Sequence, residues 1–192
     1  RAPEHTQKLW KDAEITPRAI DREVSQSMHM THMGCSSLPE ALIRQSLRAG
    51  LGDGWGGSMM GTEFSDVMFG TPKPIDTEAN IGVMEKENVN IVVHGHDPSL
   101  SEMIVYYAND PEMIAYAKSM GAKGITVSGV CCTSNEVTMR HGIPMAGNFL
   151  NQENVVLTGA CEAIVVDVQC IFPALGPLSK CFHTKFITTS PI

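Results

Sequence analysis

The chain of 192 residues is 43% hydrophobic, which is enough to pack the core of one large domain or two small ones. Its net charge of -7 comes without a basic stripe, because the 14 lysines and arginines are scattered, and this argues against a nucleic-acid partner. No apolar run reaches the roughly 18 residues of a membrane span, and the first residues do not resemble a signal peptide, so we expect a cytoplasmic protein without a membrane span.

Residues 1–86 are predicted to form part of a helical domain and a connector. Thr16 and Pro17 are of the types expected at a helix start, and apolar residues at near-helical spacing follow them. Ser37 and Glu40 have the spacing of a capping box that opens a second helix. A glycine-rich stretch, "GDGWGGSMMG", then leads into a short Met-rich helix.

Residues 87–192 alternate between apolar strands and helices, which predicts a Rossmann-like, mostly parallel sheet with helices on both faces. The fold class is therefore α/β, with a helical N-terminal segment ahead of the sheet. The predicted strands cover residues 89–96, 124–132, 144–149, 154–159, 163–170 and 185–190. The predicted helices cover residues 99–110, 111–121 and 133–142, and the last is expected to be capped by Thr133 or Ser134. The chain starts at Arg1 and stops directly after a predicted strand, which indicates an internal fragment with an incomplete sheet.

Histidines and cysteines end three of the predicted strands. They are His94 and His96 on the first, Cys131 and Cys132 on the second, and Cys170 on a later one. Because the carboxyl ends of parallel strands meet at one edge of a sheet, we expect these side chains to lie close together. Residues two apart on a strand share a face, so both histidines could point the same way, whereas the adjacent cysteines would point apart. Imidazole and thiolate together suit zinc, copper, nickel and iron–sulfur centres.

The other histidines and cysteines have weaker claims to a site. Cys35 and Cys161 are expected to be structural, because neither lies at a carboxyl strand end, and the pair Cys181 and His183 precedes a strand. A second pair, His29 and His32, is expected on a solvated helix face. The residues alone also permit a catalytic zinc site of two cysteines and one histidine, or a non-enzymatic α/β module with packed thiols.

Several strings make the pattern specific. The segments "VNIVVHGHDPSLSEMIV", "GVCCTSNEVTMRHG", "AIVVDVQCIFPAL" and "SDVMFGTPKP" resemble the catalytic subunit of anaerobic nickel–iron carbon monoxide dehydrogenases, of the type found with acetyl-CoA synthase. The resemblance implies an oxidoreductase that interconverts CO and water with CO2 and passes two electrons to ferredoxin. It also implies a homodimer and an acetyl-CoA synthase subunit as a partner. The related hybrid-cluster protein, a hydroxylamine reductase, is the alternative within the same fold.

The resemblance also implies a ligand set. The family's active cluster joins nickel to an iron–sulfur cubane with one iron outside the cube. By motif, His96 and Cys132 would hold the outer iron and Cys170 a cubane iron, with His94 as the alternative to His96. Asp53 is a weaker match to an acidic residue that supports the family's catalytic histidine. The 4Fe-4S clusters of the family are bound by parts that this chain lacks, so we expect the isolated chain to be inactive.

Overall fold

The computed structural model describes residues 2–189 and divides the chain into two compact units, Arg1–Met68 and Phe69–Ile192. The first unit is helical, as predicted. Its helices are α1 (Glu4–Asp12), α2 (Ile20–Thr31), α3 (Pro39–Gly52) and α4 (Met60–Phe69), with a 3-10 turn at His32–Gly34 and a π-helix at Asp53–Met59 between α3 and α4. The glycine-rich stretch is therefore helical, although its hydrogen-bonding pattern is wider than that of an α-helix.

Both predicted helix caps in this unit are wrong. Helix α2 begins after Ala19, and α3 begins at Pro39 after Leu38, in each case without a capping side chain. At α2 the backbone N–H and guanidinium of Arg18 instead donate to the carboxylate of Glu23, at 2.6 to 3.0 Å. Glu23, in the first turn of α2, thus binds Arg18, which precedes the helix.

The second unit is built on a five-stranded, all-parallel sheet with the order β3-β2-β1-β4-β5. The strands are β1 (Val89–His94), β2 (Ile125–Val130), β3 (Met145–Gly147), β4 (Ala163–Val166) and β5 (Lys185–Thr188). The helices are α5 (Pro98–Ala108), α6 (Pro111–Ser119), α7 (Cys131–His141), α8 (Gln152–Leu157) and α9 (Leu175–Ser179). His94 pairs in register with Val130 and Val166, so the carboxyl ends of the three central strands are level with each other.

Apolar side chains cover both faces of this sheet, which confirms the predicted fold class. On one face, Val92 of β1 packs in a core with Ile164 and Leu175. On the other face, the adjacent Val93 packs with Val105 of α5. Successive residues of one strand thus enter different cores, as expected for a strand buried on both sides.

Several strand predictions need correction. The predicted strands 89–96 and 163–170 end earlier, at His94 and Val166, so His96 and Cys170 lie beyond them. Residues 154–159 belong largely to α8 and not to a strand, because β3 and β4 are parallel and the chain must cross back over the sheet between them. The predicted strand 124–132 ends at Val130, so Cys131 and Cys132 form the first turn of α7, and neither Thr133 nor Ser134 is its cap.

The segment after Phe69 packs within the second unit ahead of β1. Ala79 forms a parallel bridge with Met145, and Met145 donates its N–H to the carbonyl of Glu78. The two compact units therefore divide after Met68, earlier than the predicted boundary at residue 86. That boundary was predicted for the domains of the complete protein, and for them it stays a prediction. The predicted strand 185–190 is observed up to Thr188, and residue 190 lies outside the described part. Within residues 2–189, no helix is long and apolar enough to cross a membrane.

Candidate metal centre at the carboxyl edge of the sheet

His94, the last residue of β1, is fully buried. Its Nε2 lies 2.9 Å from Oε1 of Gln152. Because an amide oxygen can only accept, the Nε2–H of His94 is the donor. Burial lowers the pKa of His94, so the imidazole is neutral near pH 7. The first histidine of the "HGH" triplet is therefore a core residue.

His96 lies beyond the strand end and is half-buried. Its Nδ1 is 3.1 Å from the carbonyl oxygen of Val168, which requires the proton on Nδ1 and leaves the lone pair on Nε2. That Nε2 is 3.9 Å from Sγ of Cys170. Metal-binding histidines are commonly oriented by such a hydrogen bond from the second ring nitrogen. His96 thus presents a free, fixed nitrogen beside a thiol.

Asp167 holds the backbone of the turn that carries His96. Its carboxylate accepts from the N–H groups of His96, at 2.6 Å, and Asp97, at 2.9 Å, and also from Val168. Gly95 between the histidines has φ +128, and a Cβ there would lie 1.8 Å from Oδ1 of Asp167. Only glycine permits this close approach. The two histidines consequently do not share a face, because the chain leaves the strand geometry at Gly95.

Cys131 and Cys132 follow β2 directly and open α7. Cys131 has φ +71 and packs partly against the apolar core of its face. Burial raises the pKa of the Cys131 thiol to about 11, and the nearby Cys170 adds to the rise. Cys132 is exposed at the start of the helix, whereas Cys131 is only partly exposed. Of the two, Cys132 is the more accessible to a ligand.

Thr133 ties the start of α7 to the histidine turn, the turn of residues 95–97 that carries His96. Its backbone N–H donates to the carbonyl of Gly95 at 2.8 Å, and its hydroxyl lies 3.1 Å from the carbonyl of Asp97 and 2.7 Å from Ser101 Oγ. Thr133, in the turn after β2, therefore links that turn to the backbone of the turn after β1.

Cys170 is exposed and lies in the loop after β4, not in the strand itself. Both it and Gln169 have left-handed backbone conformations, with φ +54 and +64, which is uncommon for residues other than glycine. The carbonyl of Cys170 accepts from Nε2 of Gln152 at 2.9 Å. The thiol of Cys170 therefore belongs to a strained loop whose backbone is held by a hydrogen bond from Gln152.

This edge brings His96 and Cys170 together, with Cys132 on the adjoining turn, but within residues 2–189 no three His, Cys, Asp or Glu side chains converge on the position of a single metal ion. The soft donors nonetheless suit an iron–sulfur cluster, since such a cluster spreads its protein ligands over several irons and does not require three of them to converge on one ion. The donor chemistry fits such a group better than it fits one zinc ion.

The other sequence candidates lie elsewhere. Cys161 is buried ahead of β4, where burial raises its pKa to about 12. His183 lies 3.3 Å from Glu162, and both precede their strands, at the opposite edge of the sheet. The nearby Cys181 is exposed, as is Cys35 in the first unit. Asp53, the first residue of the π-helix, also belongs to the first unit, together with His29 and His32.

Two buried polar residues of this edge were not predicted from the sequence. Asp167 directly follows an apolar strand, a position that could have indicated it, but its partners lie 71 residues away in the chain. Gln152 stands in a segment with no motif, and its contact with His94 spans 58 residues. Such contacts leave no local pattern.

Residues 1–192 match the Prismane/CO dehydrogenase family, and the chain belongs to this family. It is 56% identical over 191 residues to carbon monoxide dehydrogenase 1 of Methanosarcina mazei, a match that covers 100% of the chain and 30% of that protein. The resemblance seen in the sequence is thereby confirmed. The chain spans about 30% of the length of the relatives that it matches.

Solved structures support the same family. A Ni-free carbon monoxide dehydrogenase from Thermococcus sp. AM4, produced without the CooC maturase, superposes with a TM-score of 0.91 at 54% identity, covering 99% of this chain and 30% of that one. An acetyl-CoA synthase/carbon monoxide dehydrogenase with NiZn and NiNi Fe4S4 clusters in its alpha subunits gives a TM-score of 0.89 at 43% identity, covering 97% and 27%. These relatives favour the carbon monoxide dehydrogenase interpretation over the alternatives.

Proposed function

We propose that this chain forms part of the catalytic subunit of an anaerobic carbon monoxide dehydrogenase, an oxidoreductase that interconverts CO and water with CO2 and passes two electrons to ferredoxin. The observation that carries the proposal is the pair His96 and Cys170, 3.9 Å apart at the carboxyl edge of a parallel sheet. Its support is the 56% identity to a protein named for that activity.

In this proposal, His96, Cys132 and Cys170 hold a nickel–iron–sulfur cluster. When bound, that cluster supplies the redox chemistry and the site for CO. The protein residues supply position and charge. The Nδ1–H of His96 fixes the ring on Val168, so that Nε2 is the coordinating atom, and the start of α7 leaves the thiol of Cys132 exposed. His94 is disfavoured as the ligand because it is fully buried and already bound to Gln152.

The remaining parts of the proposal concern the complete enzyme. We infer that its 4Fe-4S clusters are bound outside this chain, that it is a cytoplasmic homodimer, and that it works with an acetyl-CoA synthase subunit. The likeness to the acetyl-CoA synthase/carbon monoxide dehydrogenase supports the last point. The domain boundary near residue 86, and a role for Asp53 toward the catalytic histidine, are also proposals.

The test uses the full-length subunit, purified without oxygen. We expect His96→Ala, Cys132→Ala and Cys170→Ala each to lower nickel content and CO oxidation, because each removes a donor. Cys181→Ala is the matched control, since it removes an exposed thiol of the same unit at a distant place. Unchanged nickel in all three variants would refute the ligand set. Zinc without iron–sulfur absorbance in the wild type would favour the zinc site, and iron without nickel would favour the hybrid-cluster protein.

The isolated chain offers a second test. We expect it to stay inactive after anaerobic reconstitution with iron, sulfide and nickel, because in this proposal its three donors are only part of the ligand set of the cluster. Robust CO oxidation by the 192-residue chain would contradict this expectation.

A further inference from the structure

Gln152 is fully buried at the start of α8 and uses its whole amide. Its Oε1 accepts from the backbone N–H of Phe172 at 2.8 Å and from His94 Nε2 at 2.9 Å. Its Nε2 donates to the carbonyls of Phe149, at 2.6 Å, and Cys170, at 2.9 Å. One side chain thus joins the end of β1, the start of α8 and the loop after β4.

Two of these four hydrogen bonds are made with the loop after β4, whose backbone is strained. The carbonyl of Cys170 and the N–H of Phe172 flank a single residue, and both bind the same amide. Gln169 and Cys170 have positive φ values, which are strained for residues with a side chain and persist only where the surroundings enforce them. The side chain of Cys170 is exposed, so its direction depends on this backbone.

Three backbone groups fix the orientation of the amide. A rotated amide would bring its NH2 group against the N–H of Phe172 and its oxygen against the carbonyls of Phe149 and Cys170. In the orientation that remains, the Nε2–H of His94 completes the hydrogen bonds of Oε1.

We propose that Gln152, supported by its hydrogen bond with His94, is a positioning residue that directs the thiol of Cys170 toward the metal cluster. This inference rests on the proposed function, because it assumes a cluster at this edge. It assigns the first histidine of the triplet to the same centre as the second, but through the protein core. Neither residue touches the cluster in this arrangement.

The experiment uses the full-length subunit, purified without oxygen, with nickel and iron content, the EPR spectrum of the active cluster and the melting temperature as readouts. Gln152→Leu removes all four hydrogen bonds at similar volume. We expect a loss of nickel affinity of about 10-fold or more, as is typical when the support of a metal ligand is removed. The EPR signal of the active cluster should shift or disappear, while the iron of the remaining clusters is kept.

Thr184→Val is the matched control. Thr184 is also buried, and its hydroxyl donates to the carbonyl of another cysteine, Cys161, at 2.7 Å, but at the amino edge of the sheet. We expect it to lower the melting temperature without changing nickel content or the EPR spectrum. An equal loss of nickel in Gln152→Leu and Thr184→Val would show a merely structural role and overturn the inference.

Two further variants keep the test decisive if Gln152→Leu does not fold. Gln152→Glu keeps both acceptor contacts but faces the carbonyl of Cys170 with a carboxylate, so it should lose nickel. His94→Gln keeps a donor toward residue 152 and should retain more nickel than His94→Leu. Full nickel and an unchanged spectrum in Gln152→Glu would overturn the inference and leave the proposed function intact. A wild-type protein without nickel would instead overturn the proposed function.

Discussion

Replacing Gly95 by alanine tests how tightly the histidine turn is built. The new Cβ would lie 1.8 Å from Oδ1 and 2.4 Å from Cγ of Asp167, so the carboxylate must move. A positive φ costs a residue with a side chain about 1–2 kcal/mol. Loss of even one hydrogen bond to a charged group adds about 1.5–3 kcal/mol. We therefore expect Gly95→Ala to lower the free energy of unfolding by about 3–5 kcal/mol, a large part of a typical domain's stability.

The control for this variant is Gly121→Ala. Gly121 also has a positive φ, +102, but among the described residues no heavy atom beyond its own chain neighbours lies within 4 Å of the place that a Cβ would occupy. The substitution should cost only the backbone contribution of about 1–2 kcal/mol. Urea unfolding at equilibrium, with an unchanged slope, measures both. Equal costs for the two variants would refute the argument from Asp167.

A double variant isolates the clash itself. Asp167→Ala removes the obstructing carboxylate, so the cost of Gly95→Ala measured in that background should be smaller than in the wild type. Neighbouring residues that share one interaction commonly couple by about 0.5–3 kcal/mol. Strict additivity of the two substitutions would show that the carboxylate does not oppose the Cβ.

Three further outcomes are expected from the charges and thiols. Asp167→Asn should destabilise the chain by about 2 kcal/mol or more in urea unfolding, since an amide places donors against backbone N–H groups; a change below about 0.5 kcal/mol would contradict this. Arg18 hydrogen-bonds Glu23 and lowers its pKa to about 2, so this stability is present above pH 4.5 and lost as pH falls toward 2. Acid unfolding followed by circular dichroism should show this loss, and Glu23→Gln should remove it. In the metal-free chain, alkylation followed by mass spectrometry should label Cys132 rapidly and Cys161 only after unfolding; fast labelling of Cys161 would contradict its burial.

Much of the fold could be read from the sequence because its strands are buried on both faces. The run "VNIVV" is apolar almost throughout, as a central parallel strand must be, and helices follow it at once. The run "NVVL" has similar residues and yet is helical in α8, because short apolar runs fit either structure and the connection between parallel strands decides. The ends of strands were harder to predict, since Cys131 and Cys132 belong to the following helix.

The candidate site was predictable only in its donors. Strand ends brought His96 and Cys170 to one edge by topology, which a sequence pattern can anticipate. The supports of these donors are contacts between side chains and backbone that are distant in the chain, such as Asp167 with His96 and Gln152 with Cys170. No local spacing encodes such pairs, so they require a structure.

The "HGH" triplet shows why identical side chains two residues apart can have different tasks. His94 is the last residue in strand geometry, and register with its neighbours places it in the core, where it hydrogen-bonds Gln152. Gly95 then lets the backbone pass the carboxylate of Asp167, and this bend turns His96 outward with its Nε2 free. The loop of Cys170, whose backbone is hydrogen-bonded by Gln152, faces this second imidazole. The glycine between the histidines therefore makes it sterically possible for one imidazole to lie in the core and the other to face outward.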